Sequence, residues 1–194
     1  MKGCRSLTDD EVVQVCASFE GTFAIRNKAL FLLGVRSGFR ISELLALRVG
    51  DVYPQGQWVT HLTVPKRHMK QRMEGRRVPL HPEARTALEA WLIQQSERQA
   101  LHPSLYLFPS RKGVNQALRP VQAWQALQDV FRTCGLVGQL GTHCMRKTFA
   151  KRVYVKSNRN LLYTKKALGH RRLSTTEAYL DVDDAEVEAI NLAS

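Results

Sequence analysis

The chain has 194 residues, with 29 Lys+Arg against 17 Asp+Glu, a formal charge of +12 and 44% apolar residues. That length suits one domain with a real core, and the composition is too apolar for a disordered chain. The longest apolar run near the start, 29–35, is seven residues, too short to span a membrane and lacking the cleavage region of a signal peptide. A soluble cytoplasmic protein is the expectation.

Ser6 or Thr8 is placed to cap a first helix ending near Ser18, with Val12, Val15 and Cys16 at helical spacing. A second helix over 22–36 carries Ala29, Leu32 and Leu33 and is broken by Gly38, and a third covers 41–47. The period then changes to two: Trp58, Thr60, Leu62 and Val64 alternate with Val59, His61 and Thr63. Residues 66–75 form a polar connection and 76–80 the returning strand, with a further strand expected near 50–54. Helical spacing returns at 83–96 through Leu88, Trp91 and Leu92, and again from Pro120, where Val121, Trp124, Leu127, Val130 and Phe131 precede a stop at Gly135. Helices over 142–155 and 160–168 follow, the second ended by Gly169. Ser174-Thr175-Thr176-Glu177 fits a capping box opening a short helix that carries Tyr179. The predicted architecture is α+β: mostly helical, with a small antiparallel sheet and no internal boundary.

Cys4, Cys16, Cys134 and Cys144 are 12, 118 and 10 residues apart, without the spacing of a zinc clamp, and read as reduced thiols in or near the core. His61, His68, His81 and His102 show no ligand spacing either. Charge is distributed unevenly. From Val130 to Thr176 there are eleven basic residues and no acidic one, whereas Asp181, Asp183, Asp184, Glu186 and Glu188 crowd the end. Such a cationic stretch is more easily tolerated when a polyanion covers it, and nucleic acid is the natural candidate.

Polar residues stand where the local pattern does not require them. Arg40 lies between Gly38 and an apolar helix; His143 and Arg146 are three apart and share a helix face; His170 follows Gly169; Tyr179 lies nine residues later. Singly, each reads as a surface cation, a helix-end residue or a half-buried anchor. Jointly, Gly38-Phe39-Arg40-Ile41-Ser42-Glu43-Leu44-Leu45-Ala46-Leu47, Thr142-His143-Cys144-Met145-Arg146, Leu168-Gly169-His170 and Thr175-Thr176-Glu177-Ala178-Tyr179 resemble the tyrosine recombinase catalytic domain of lambda-type and Xer-like integrases. The resemblance covers about 5–182, with the motifs in the family's order.

The resemblance implies a DNA-cutting and rejoining enzyme. Tyr179 would attack the scissile phosphate, because a phenol forms a phosphoester of similar energy to the one broken. Arg40 and Arg146 would clamp the non-bridging oxygens with forked donors. His143 would assist proton transfer from Tyr179, and His170 would donate a hydrogen bond to the phosphate. A hairpin lysine would protonate the 5′-oxygen. Lys66 and Lys70 are the candidates, and counting back from Val78-Pro79 favours Lys70. Glu43 is expected to hold an arginine or a helix terminus. No metal or nucleotide cofactor is implied. The partners implied are double-stranded DNA with specific recombination sites and further copies of the chain, monomer or dimer when free and tetramer in synapsis, without membrane association. The sequence departs from the family pattern at Met145, commonly Leu, and Lys147, commonly His.

Residues 1–182 then form the catalytic domain without the N-terminal helical domain that closes a clamp on DNA in most relatives, either as a minimal recombinase or as a fragment of a longer protein. The acidic tail, 183–194, either docks on a neighbouring protomer or folds back on its own. The competing functions are a type IB topoisomerase-like enzyme acting on one duplex, a DNA-binding module that does not cleave, and a basic RNA-binding domain that lacks an evident stacking platform.

Overall fold

The structure, a computed structural model, describes residues 4–63, 76–177, 179 and 180. It groups into two compact units, Met1–Phe149 and Ala150–Ser194.

In the first unit, helix α1 (Asp9–Ala17) is capped by Thr8 rather than Ser6. The Thr8 hydroxyl accepts the Glu11 N–H at 3.1 Å, and the Glu11 carboxylate accepts the Thr8 N–H at 2.9 Å. Helix α2 (Ala24–Ser37) is buried on nearly every side, with Ala29, Leu30, Phe31, Leu32, Leu33 and Val35 all in the core. A helix apolar all round belongs at the centre of a fold. It ends at Gly38 in the left-handed conformation (φ 61°). Helix α3 (Ile41–Ala46) follows almost at once.

The strand expected near 50–54 is instead a helical turn, α4 (Val49–Val52), followed by a 3-10 turn at Pro54–Gly56. Val49 and Val52 are both buried, and their separation of three is a helical spacing. The Asp51 carboxylate accepts the Arg48 N–H at 2.7 Å, closing the turn at its start.

Strands β1 (His61–Thr63) and β2 (Arg77–Pro79) pair antiparallel, with Leu62 opposite Val78 and Thr63 opposite Arg77. The described part of the first strand is shorter than its alternation suggested, because Trp58 turns to pack on Tyr53, with ring centroids 5.0 Å apart. Helix α5 (Pro82–Ser96) buries Ala84, Leu88, Trp91 and Leu92, and Trp91 Nε1 donates to the Leu107 carbonyl at 2.7 Å. Helix α6 (Pro120–Thr133) buries Ala123, Leu127, Val130 and Phe131, while Val121 and Trp124 stay exposed. Helix α7 (Thr142–Lys156) runs across the division between the units. Its Met145 is packed so closely on α2 that a Cβ at Gly34 would lie 2.5 Å from the sulfur.

In the second unit, Asn160 caps α8 (Leu161–Leu168) through its Oδ1, and Gly169 ends it in the left-handed conformation (φ 67°). Helix α9 (Leu173–Glu177) begins one residue before Ser174, so Ser174 lies inside the helix instead of capping it, and Tyr179 lies beyond its end. Among the described residues no helix is long and apolar enough to cross a membrane.

Gly38 is the position on which the α2–α3 connection turns. A Cβ there would lie 2.2 Å from Phe149 Cδ1 and would require a left-handed backbone. Gly38→Ala is therefore expected to lose about 2–4 kcal/mol from strain and overpacking together, read as a lower urea midpoint with an unchanged slope.

Candidate active site

The first unit brings Arg40, His143 and Arg146 to the C-terminal end of α2. A helix leaves its last carbonyls without intrahelical partners, and that end carries partial negative charge, so cations are favoured there. Arg146 is 1% exposed, and its Nη1 donates to the Gly38 carbonyl at 2.5 Å. A buried guanidinium is tolerated only with such partners. Two residues beyond Gly38, Arg40 stands immediately before α3. Its N–H donates to Glu43 Oε2 at 2.7 Å, and its Nη1 lies 2.9 Å from Glu43 Oε1. The buried Glu43 carboxylate thus holds both a helix start and a cation, the role expected of it.

A third guanidinium, not anticipated from the sequence, joins this turn. Arg76 donates through Nη2 to the Ser37 carbonyl and through Nη1 to the Gly38 carbonyl at 3.3 Å, and its Cζ lies 4.7 Å from the centre of the Phe39 ring. A signal was present: Arg76 stands two residues before the buried Val78, and period-two alternation sends both to the same face.

Crowded cations perturb one another. Burial, then the Arg146 charge, and to a lesser degree Arg40 against the opposing pull of Glu43, push the Arg76 guanidinium down to about 9, so it still carries its proton at neutral pH. His143 keeps an exposed face, but partial withdrawal from water lowers its pKa, and the charges of Arg146, Arg40 and buried Lys147 lower it further. The imidazole is accordingly neutral at pH 7 and able to accept a proton. Next to it, the Cys144 thiol pKa is raised well above its ordinary value by a hydrogen bond with the Cys4 thiol and by burial, and all four cysteines are free thiols.

The second unit brings His170 and Tyr179 together, with ring centroids 5.0 Å apart and ring planes at 61°. Gly169 turns the chain out of α8, and the His170 N–H donates to the Lys165 carbonyl at 3.1 Å. Buried Thr176 holds the His170 ring and the Tyr179 backbone. Its hydroxyl lies 3.1 Å from His170 Nδ1, and its carbonyl accepts the Tyr179 N–H at 3.0 Å. The sequence singled out Thr176 only as part of a helix start, and no spacing rule would have paired it with His170. Lys66 and Lys70 lie outside the described residues. Among the described residues no group of His, Cys, Asp or Glu is arranged to hold a metal ion.

A family model described as the Phage integrase family matches residues 5–186. The chain belongs to that family. It is similar to the tyrosine recombinase XerD of Mycobacterium leprae, 29% identical over 184 residues, which covers 90% of this chain and 56% of the relative. It is also similar to the tyrosine recombinase XerC of Neisseria gonorrhoeae, 32% identical over 160 residues, covering 82% of this chain and 48% of the relative. The chain thus spans about half the length of these curated relatives. Among solved structures, a XerH site-specific recombinase bound to its difH substrate matches with a TM-score of 0.74 at 23% identity, covering 97% of this chain and 53% of that one, a likeness of fold. The mostly helical α+β architecture read from the sequence is therefore that of a phage integrase family domain.

Because the lowered His143 pKa reflects neighbouring cations as well as burial, Arg40→Gln is expected to move it back up toward the ordinary 6.5. Histidine NMR titration of the free protein checks this. The sign has a second consequence. Between the ordinary value and the lowered one the unfolded chain binds more protons, so the His143 contribution makes the wild-type fold less stable as pH falls through that window.

Proposed function

We propose that the chain cuts and rejoins DNA at specific sites through a covalent tyrosine ester. The observation that carries this reading is the cationic cluster at the end of α2, where Arg40, Arg76 and Arg146 with a neutral His143 surround a turn whose buried carboxylate is Glu43. Such a site has the charge and the forked donors that a phosphodiester requires.

In the proposed reaction, Tyr179 Oη attacks the scissile phosphorus, a phosphorus–Oη bond forms, and the bond to the 5′-oxygen breaks. The phenol proton passes to His143, whose depressed pKa keeps it available as a base, and Lys70 supplies a proton to the departing 5′-oxygen. Arg40 and Arg146 take up the charge that develops on the non-bridging oxygens, the kind of electrostatic stabilisation that is often the largest single contribution to catalysis. His170, oriented by Thr176, donates to the same phosphate. The 3′-phosphotyrosyl product retains the energy of the ester it replaces, so a 5′-hydroxyl from another strand can reverse the step without ATP. Strand exchange between two sites requires several copies of the chain on the DNA, two cleavage events for each strand exchanged. The family membership and the basic charge of the chain support DNA as the partner.

A nicked suicide duplex, from which the 5′-hydroxyl fragment is lost after cleavage, tests the reading. The full chain is expected to give a covalent protein–DNA band on a denaturing gel, absent in Tyr179→Phe. Arg146→Gln is expected to slow its formation by about 10²–10³. No band with the intact protein on duplexes carrying its sites would favour a binding module that does not cleave.

A further inference from the structure

The turn that places Arg40 is short: Gly38 ends α2, Phe39 crosses, and Arg40 precedes α3. Arg76 holds successive residues of that turn, through the Ser37 and Gly38 carbonyls and the Phe39 ring face. Its own position is fixed by the next residue, since Arg77 pairs with Thr63 at the start of β2. Both terminal nitrogens are directed at backbone carbonyls, so the side chain acts on the turn. We propose that Arg76 is a positioning residue for cleavage: its forked guanidinium clamps the 37–39 turn and thereby fixes Arg40 against the scissile phosphate.

Packing alone does not require a cation here. Partial withdrawal from water, and then the charges of Arg146 and Arg40, push the half-buried Arg76 guanidinium down to about 9, and an apolar side chain of similar length would avoid that cost. The guanidinium supplies what an apolar chain lacks, two donors in a fixed fork with a flat face that stacks on Phe39. Lysine keeps the charge without the fork. An Arg40 displaced by about 1 Å would lose much of its hold on the transition state, and a misplacement of that size can cost about 10²-fold in rate.

This inference rests on the strand-cleavage reading, and the experiment separates the two. The full chain, Arg76→Lys and Arg76→Met are compared on the suicide duplex under single-turnover conditions with saturating protein, alongside the Kd for the same duplex and the Tm. The expected result is adduct formation slowed about 10-fold in Arg76→Lys and about 10²-fold in Arg76→Met, with Kd within about threefold of wild type because affinity is spread over many phosphate contacts along the duplex and the scissile phosphate is only one of them. The proposal is overturned if Arg76→Lys cleaves at the wild-type rate, which would make charge alone sufficient. It is equally overturned if each loss of rate is matched by an equal loss of affinity or by collapse of the Tm. If Arg76→Met does not fold, Arg76→Lys alone decides by the same outcomes. Absence of an adduct with the wild-type chain would instead overturn the cleavage reading itself.

Discussion

The Gly38 carbonyl accepts hydrogen bonds from both Arg146 and Arg76, and the rest of the first unit's cluster depends on that shared acceptor. Like charges a few ångströms apart repel strongly. Two unit charges about 4 Å apart interact by about 4 kcal/mol at an effective dielectric near 20. The helix end offsets part of this through its exposed carbonyls, and Glu43 offsets more through its pair with Arg40. Burial first, and the neighbouring cations after it, depress both Arg76 and His143. We propose that the cluster holds one more anion, a phosphodiester, whose oxygens suit the forked donors.

Fold and chemistry meet at this turn. Helix α2 is central because it is apolar on nearly every side, so its C-terminal carbonyls are held in a rigid part of the molecule. Gly38 can turn the chain there because its left-handed backbone carries no Cβ into Phe149. In the second unit Thr176 does comparable work on a smaller scale, bonding the His170 ring with its hydroxyl and the Tyr179 backbone with its carbonyl. Tyr179 lies nine positions after His170, and the short helix α9 lies in that interval between the two rings that meet.

Much of this was legible in the sequence because the relevant signals are local. His143 and Arg146 share a helix face by spacing alone, Gly38 and Gly169 mark helix ends by their lack of a side chain, and Glu43 follows Arg40 at the distance of a helix start. Arg76 was missed because a cation at a strand end is ordinarily solvated, although its alternation with Val78 pointed inward. The 50–54 segment was misread because Val49, Val52 and Tyr53 suit a strand by residue type, while the spacing of the two valines and the Asp51 cap favour a turn of helix. Thr176 escaped notice for a different reason: its partner ring is reached only after α9 has formed, and no local pattern records that contact.

We propose that the guanidinium cluster meets the charge on the scissile phosphate. The most direct measurement replaces that phosphate with a neutral methylphosphonate in the suicide duplex and compares single-turnover adduct formation by wild type and Arg40→Gln. The rate penalty of Arg40→Gln, large on the phosphate, is expected to shrink by at least about tenfold on the methylphosphonate, because the charge the guanidinium opposes is gone. An equal penalty on both duplexes would contradict it, leaving Arg40 with a role in folding or orientation unrelated to phosphate charge.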